Sequence, residues 1–484
     1  MAPDGLQGAP RKRLGFGLLT IYGSGAMTEV VMSFAVGQFL LFYLTIVCGL
    51  PGTLAGVVGL LSLTLDAFVD PLVGSLSDNL RSRFGRRHPF MIGASVPIAV
   101  TLVLLFSIPT GLSGVGLFAY ATVLCLLLRV AMSLFQVPFL ALGAELSDDY
   151  QERSTIVAFR VAFGVVGTII ATVLSYGLFL AAPGAMTHKG PYMLVAASFA
   201  TIIVGASLLC GLGTLGARGR LHGPPTSGPG ALSRLVAEVR EIFRNRSFRV
   251  LFLAILLFFV AQGVAGPLTL YANTYFWKIS TPQIRDLTLI YTAGLAGGII
   301  VTGILSRLLE KRTVAFIGLF FFIGAQLIPA SLRVAGLVAS PKDVMLVLTL
   351  AVIALGLGTS AAVIGYQSMM ADAADEHEHL FGARREGLYF AGINLSAKAS
   401  TGLGVLIAGV VLDLIGFPHG VSAAGAYIAP RTIVELGLIY GPGAAVVSAV
   451  SVTILFAYRL DRRGHAAILH ALGRGPAPEP GTGT

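Results

Sequence analysis

Charge is what this chain of 484 residues has least of: Asp, Glu, Lys and Arg make up 12% of it, against about 25% in ordinary water-soluble domains. Hydrophobic residues reach 55% and the mean hydropathy is +0.84, so a soluble fold could not clothe its surface from this alphabet. Tryptophan occurs once and cysteine three times. Cys48, Cys125 and Cys210 each lie in an apolar stretch without metal-ligand or redox-motif spacing, and read as small core residues. The chain has no phosphate-binding glycine loop and no polar segment large enough for a nucleotide-binding domain, which excludes ATP-driven transport by this chain alone. Its 60 glycines follow no triplet period and sit inside apolar runs, which excludes collagenous and disordered classes. An all-α polytopic membrane protein remains.

A bilayer core about 30 Å thick takes about 20 apolar residues per helix. Twelve such stretches are expected, near 15–43, 53–77, 89–108, 115–141, 154–182, 191–215, 249–276, 286–306, 313–332, 344–371, 386–415 and 434–458. With both termini on one side, the connecting segments on that side hold 24 Lys and Arg and the opposite loops hold six. The positive-inside rule then places both termini in the cytoplasm of an inner or plasma membrane. The cluster Arg11-Lys12-Arg13 precedes a span too long for a cleaved signal peptide. The net charge of +10 is explained by these short basic loops facing an anionic leaflet, so nucleic acid is not an expected partner; membrane lipids are.

The longest polar stretch, 217–247, reads as a linker. It separates six-helix halves at 15–216 and 248–459, with a short N-terminal segment at 1–14 and a tail at 460–484. Gly74-Ser-Leu-Ser-Asp78 leaves the second span as Gly303-Ile-Leu-Ser-Arg307 leaves the eighth. Glu145 opens an acidic loop ending in Glu152-Arg153, and at nearly equal spacing Asp372 opens one ending in Arg384-Arg385-Glu386. Equivalent loops imply a parallel repeat of six helices, the architecture that surrounds a midplane site in transporters that rock between two faces.

Six ionisable residues fall deep in the spans: Glu29, Asp66, Asp70, Arg129, Arg160 and Lys398. Each costs about 2.5 kcal/mol or more at the bilayer centre, so each must face the bundle interior or water. Asp66 and Asp70, four residues apart, share one helical face, which Ser62 and Ser77 extend. Two carboxylates this close repel unless a cation or a proton sits between them, which makes them a coupling-ion site for Na⁺ or H⁺. Pro71 frees a backbone carbonyl nearby. Lys398 shares a face with Asn394 and Thr401 and is a natural counter-charge when the cation leaves. Structural ion pairing is the alternative for the set. Glu29 and Arg129 lie at similar depth and are expected to pair across a central cavity. Arg160, Gln262 and Asn273 of a polar stripe, and Tyr366 beside Gln367 complete the candidate lining. His377-Glu-His379 has metal-ligand residue types but falls in a charged loop, and no metal is expected.

These residues resemble a known family. Asp66-Ala-Phe-Val-Asp70-Pro71-Leu-Val-Gly74, then Ser77-Asp78 and Arg83-Phe-Gly-Arg86-Arg87-His-Pro89, is similar to the second span and following loop of the glycoside-pentoside-hexuronide:cation symporters of the major facilitator superfamily. Val137-Pro138-Phe139, Glu152-Arg153, Arg160, Asp372, Asp375, Arg385-Glu386-Gly387, Lys398 and Tyr458-Arg-Leu-Asp461 extend the likeness over nearly the whole chain. In melibiose-carrier-like members, it implies that Asp66 and Asp70 bind the cation, Lys398 lies beside them and Arg160 borders the sugar. By counting from the aspartate pair, the family's sugar-gripping aspartates fall on Val30 and Gln136, with Glu29 adjacent to the first. The asparagine before the second aspartate falls on Val69. Sodium-dependent lysophospholipid symporters resemble it too.

The reading is a monomeric secondary symporter, not an enzyme, that imports an organic solute with Na⁺ or H⁺ and needs no cofactor. A sugar or glycoside comes first and a lysophospholipid second, with Gln136 and Asn394 among the polar lining; a non-transporting sensor comes last. Asp78, Arg83, Arg86, Arg87, Glu152, Arg153, Arg385 and Glu386 are expected to form a gate on the cytoplasmic side, linking the loop after the second span to the fourth and eleventh helix ends.

Overall fold

The computed structural model describes residues 14–220, 238, 240–420 and 427–474. Twelve of its helices are long and apolar enough to cross a bilayer. They are α1 (Phe16–Leu40), α2 (Gly52–Asn79), α3 (His88–Leu105), α4 (Gly114–Glu145), α5 (Gln151–Phe179) and α6 (Lys189–Ala217) in one half. The other half holds α7 (Arg246–Phe276), α8 (Thr281–Leu308), α9 (Lys311–Val334), α10 (Pro341–Phe381), α11 (Glu386–Leu414) and α12 (Pro430–Leu455). A short α13 (Arg462–Ala471) follows. Among the described residues there is no β-strand.

An even number of spans puts the start of α1 and the end of α12 on one face, which also carries the arginines of the α2–α3 loop; this is the basic face. Helix starts follow local chemistry. Asp149 accepts the Glu152 N–H at 2.9 Å, Asn245 the Phe248 N–H at 3.2 Å and Ser340 the Asp343 N–H at 3.2 Å, each satisfying an orphan donor of a first turn. Prolines open α3, α8, α10 and α12, where a missing N–H costs nothing.

The repeat is visible in matching ion pairs on the basic face. Arg86 and Arg87, after α2, clamp Glu145 at the end of α4, while Lys311, after α8, lies 2.6 Å from Asp372 on α10. On the opposite face α1, α5, α7 and α12 carry wide π-helical turns at Ala35–Leu40, Val173–Phe179, Ala272–Phe276 and Ile439–Gly443. Such turns leave backbone carbonyls less tightly paired than in an α-helix, and they recur at functional sites.

The halves touch most closely toward that opposite face. Gly52 and Gly56 of α2 lie against the backbone of Gly409 and Leu406 of α11, too close for a Cβ on either glycine. Asp413 at the end of α11 accepts the first N–H groups of α2, Gly52 at 2.8 Å and Thr53 at 2.7 Å. The Thr45 and Tyr271 hydroxyls are hydrogen-bonded across the interface, and Phe42 packs on Tyr271, which packs on Phe417. The core of the first half is therefore continuous with the second at this end.

Two sequence expectations change here. The tenth span overruns its apolar stretch, so Asp372, Asp375, His377 and His379 form its last helical turns rather than a loop. His377 is fully buried against Phe381 and Tyr389, and among the described residues no group of three or more His, Cys, Asp or Glu is placed to hold a metal. The end of the linker docks on the second half: Glu238 and Glu241 reach Arg385 at 2.7 and 3.8 Å. Arg11-Lys12-Arg13 and most of the linker lie outside the described residues, as does the end of the tail.

Candidate functional site

A cavity of about 1110 Å³ lies between the halves. Glu29, Gln136 and Arg160 line it from the first half, and Tyr291, Asn394 and Lys398 from the second. Each sits on a rigid span, so helix packing fixes its position rather than loop order.

Asp70 stands at the closed end of this cavity. Its two oxygens are taken separately: the Ser133 hydroxyl donates to Oδ1 at 2.7 Å, and the Lys398 ammonium from the other half donates to Oδ2. One turn further in, Asp66 is nearly enclosed, with 7% of its side chain exposed against 30% for Asp70. Lys398 Nζ lies 3.8 Å from Asp66 Oδ2, and Arg129 Nη1 of α4 lies 3.5 Å from the same oxygen. Ser62 and Ser77 on the same face are both buried, and spend their hydroxyls on the carbonyls of Gly59 and Gly74.

Arg129 is therefore a partner of the aspartate pair. The expected Glu29–Arg129 pair does not form, because α4 packs beside α2 and delivers the guanidinium to Asp66. Glu29 lies beside Gln136 and in the fields of Arg160 and Lys398.

A second cavity of about 460 Å³ lies beyond the charged cluster, toward the opposite face, with Gln38, Arg129, Gln262, Lys398 and Thr401 among its lining. A third, of about 190 Å³, holds Gln38, Gln262, Thr269, Asn273, Tyr291 and Gln326. Lys398 borders the first two and Gln38 all three. The carboxylate cluster is thus a charged partition between a large cavity and smaller polar pockets.

Tyr366 is elsewhere. It is buried in the core of the second half, its hydroxyl 2.9 Å from Ser451 Oγ, while Ser451 donates to the Ala254 carbonyl at 2.7 Å. Gln367 faces outward. The sequence reading missed Gln38, Ser133 and Tyr291. Gln38 carried a signal, a lone amide in an apolar stretch, but Ser133 and Tyr291 are ordinary in such helices and only the fold brings them together.

The expected gate residues are held within their own halves in this conformation. Arg86 bonds Glu145 at 2.7 Å, Arg87 bonds Glu145 and lies 3.0 Å from Asp78, and Arg83 stacks on Phe84. Glu152 accepts the Leu14 N–H at 2.9 Å, and Arg153 donates to the Ser147 carbonyl at 2.8 Å. In the second half, Arg385 engages Glu238 of the docked linker end and Glu386 engages Arg384.

Twelve spans in two repeated halves around a shared polar cavity define a transporter of the major facilitator fold, not an enzyme. The chain belongs to the MFS/sugar transport protein family, whose model matches residues 21–462. It is 26% identical to an uncharacterized symporter of Synechocystis sp., over 85% of this chain and 88% of that one. It is 24% identical to the isoprimeverose transporter of Lactiplantibacillus pentosus, over 88% of this chain and 85% of that one. Among solved structures it resembles the nucleoside transporter NupG, with a TM-score of 0.62, 14% identity and coverage of 92% of this chain and all of that one.

Proposed function

We propose that this chain is a cation-coupled symporter that imports a sugar or glycoside by alternating access. The observation that carries the reading is the joint placement of the two sites. Asp70 and Lys398 form part of the wall of the same cavity that Glu29, Gln136, Arg160 and Asn394 line, so a change at the ion site is felt directly at the solute site. Polar groups on several helices converge there, as recognition of a many-hydroxyl solute requires, and a relative covered over 85% of its length is named an isoprimeverose transporter.

With the basic face in the cytoplasm, the closed contacts at Asp413, Tyr271 and the interface glycines are external, and the conformation is inward-facing. The two halves, 15–216 and 248–459, move as bodies about the Asp70–Lys398 level. The 217–247 linker tethers them, and the molecule works as a monomer. Arg83, Arg86, Arg87, Glu152, Arg153, Arg385 and Glu386 form the inner gate, exchanging their present partners for pairs across the halves when that side closes.

An amphiphile is the second reading, favoured by the apolar wall residues Leu140, Val161 and Ile299, which are 39%, 45% and 48% exposed. Counterflow in proteoliposomes with radiolabelled sugar and lysolipid panels separates the two. Sugar counterflow that is weakened by Glu29→Gln and retained in Asp70→Asn supports the first reading, and counterflow by lysolipids alone refutes it.

A further inference from the structure

Na⁺ is one of the two coupling ions that the fold family implies at Asp66 and Asp70, so the fit of the residues to it is a test of chemistry. A hard monovalent cation in a buried site needs several oxygen ligands and uncompensated negative charge. Both are in short supply here. Three of the four carboxylate oxygens of the pair are engaged, Asp70 Oδ1 by the Ser133 hydroxyl, Asp70 Oδ2 by Lys398 and Asp66 Oδ2 by both Arg129 and Lys398, which leaves Asp66 Oδ1. The charges cancel as well, since two carboxylates face one ammonium and one guanidinium.

The cancellation extends to the whole membrane interior. Glu29, Asp66 and Asp70 are balanced by Arg129, Arg160 and Lys398, and Glu29 lies in the fields of Arg160 and Lys398. Adding a metal cation would leave the cluster with a net positive charge in a poorly hydrated setting, where an unpaired charge is costly. Lys398, 38% exposed and facing two cavities, has room to swing away. Arg129 is more enclosed, with 15% of its side chain exposed and only the smaller of those cavities beside it, and a guanidinium stays charged under all working conditions.

We infer that Arg129 is a tethered cation filling the position a metal ion would take beside Asp66, and that it makes this transporter Na⁺-independent. The inference rests on the reading of Asp66 and Asp70 as the coupling site. It assigns Arg129 a specificity role rather than contact with the transported solute.

Na⁺ itself is the probe, so no substrate need be known. Purified full-length protein in detergent is titrated with NaCl against equal KCl at fixed pH, and the thermal midpoint is read. Wild type should show the same midpoint in both salts. Arg129→Gln should acquire a saturable Na⁺-specific rise of several degrees that is lost in Arg129→Gln/Asp66→Asn, whereas Arg129→Lys, which keeps the charge, should remain indifferent. A wild-type rise in Na⁺ that Asp66→Asn removes overturns the inference while upholding the site. A wild-type rise that survives both Asp66→Asn and Asp70→Asn instead defeats the reading of the aspartates. No response in Arg129→Gln overturns the tethered-cation role, and should that variant fail to purify, the wild-type comparison still decides Na⁺ independence.

Discussion

Lys398 of α11 donates to Asp70 of α2 across the boundary between the two six-helix halves, at the level where the closed interface gives way to the large cavity. An ion pair at that position couples occupancy to geometry: whatever neutralises Asp70 also loosens one contact between the moving bodies. Asp70→Asn should abolish uphill accumulation and leave exchange intact. One charge moving through about 100 mV supplies about 2.3 kcal/mol, so accumulation of roughly fifty-fold should collapse toward unity. Concentrative uptake against counterflow in the same proteoliposomes measures both.

Asp413 belongs to the second half but caps the first two N–H groups of α2 in the first half. That cap exists only while the opposite face is closed. Replacing it with alanine removes a charged N-cap worth about 1–2 kcal/mol, and all of the loss falls on one conformation. Asp413→Ala should therefore shift the population toward opening on that face by about tenfold. Accessibility of single cysteines placed near Thr45 and near Asn394 reports it, with the first rising and the second falling.

The glycine contacts test the same closure by packing. A side chain at Gly409 would strike the Gly52 carbonyl and backbone, whereas a side chain at Gly93 on α3 would meet nothing within 4 Å. Gly409→Ala should impede closure and reduce transport several-fold, while Gly93→Ala should change neither transport nor thermal stability. Equal effects at both sites would show that helix propensity, not the α2–α11 approach, is responsible.

How much of this was legible beforehand depended on whether the signal was local. The twelve spans were, because each is a continuous apolar run of bilayer length. The end of α10 was not: its apolar run stops, but Asp372, Asp375 and Glu378 are held in the helix by Lys311, His465 and Arg474. Asp66, Asp70 and Lys398 stood out as charges in apolar surroundings, and the spacing of four announced a shared face. The partner of Arg129 could not be read, since depth along a helix does not say which neighbour it faces. Tyr366 failed for the same reason, a helical stripe being equally consistent with a cavity wall and with a packed seam.

Glu145 is the anchor of the basic face of the first half, holding Arg86 and Arg87 with side chains 11% and 7% exposed. Glu145→Gln takes from Arg86 its carboxylate partner and leaves Arg87 with Asp78 alone, and should cost about 3 kcal/mol of stability. Asp78→Asn leaves the Arg87–Glu145 pair in place and touches a more exposed contact at 3.0 Å, so its cost should stay within about 1 kcal/mol. Its effect should instead be a shift between inward-open and inward-closed states. Thermal melts rank the two variants, and cysteine accessibility separates destabilisation from a population shift.

The substrate class is decided by how affinity scales. The cavity offers Glu29, Gln136 and Asn394 alongside Arg160 within one volume, and a site built to pair with hydroxyl groups rejects analogues lacking one of them by large factors, since its buried polar groups are then stranded. An amphiphile site would instead use Arg160 for a headgroup phosphate and the walls at Leu140, Val161 and Ile299 for the chain, gaining about 0.8 kcal/mol, or roughly fourfold in affinity, for each methylene buried. The sugar reading expects inhibition of transport by deoxy sugars to fall in steps with each hydroxyl removed, Glu29→Gln and Asn394→Ala to flatten those steps, and alkyl glycosides of increasing length to gain little. Competition measured across a deoxy series and an alkyl-length series, in wild type and in Arg160→Ala, makes the comparison. A steady gain with chain length that vanishes in Arg160→Ala, with no dependence on ring hydroxyls, would reassign the transported solute to the lysophospholipid class.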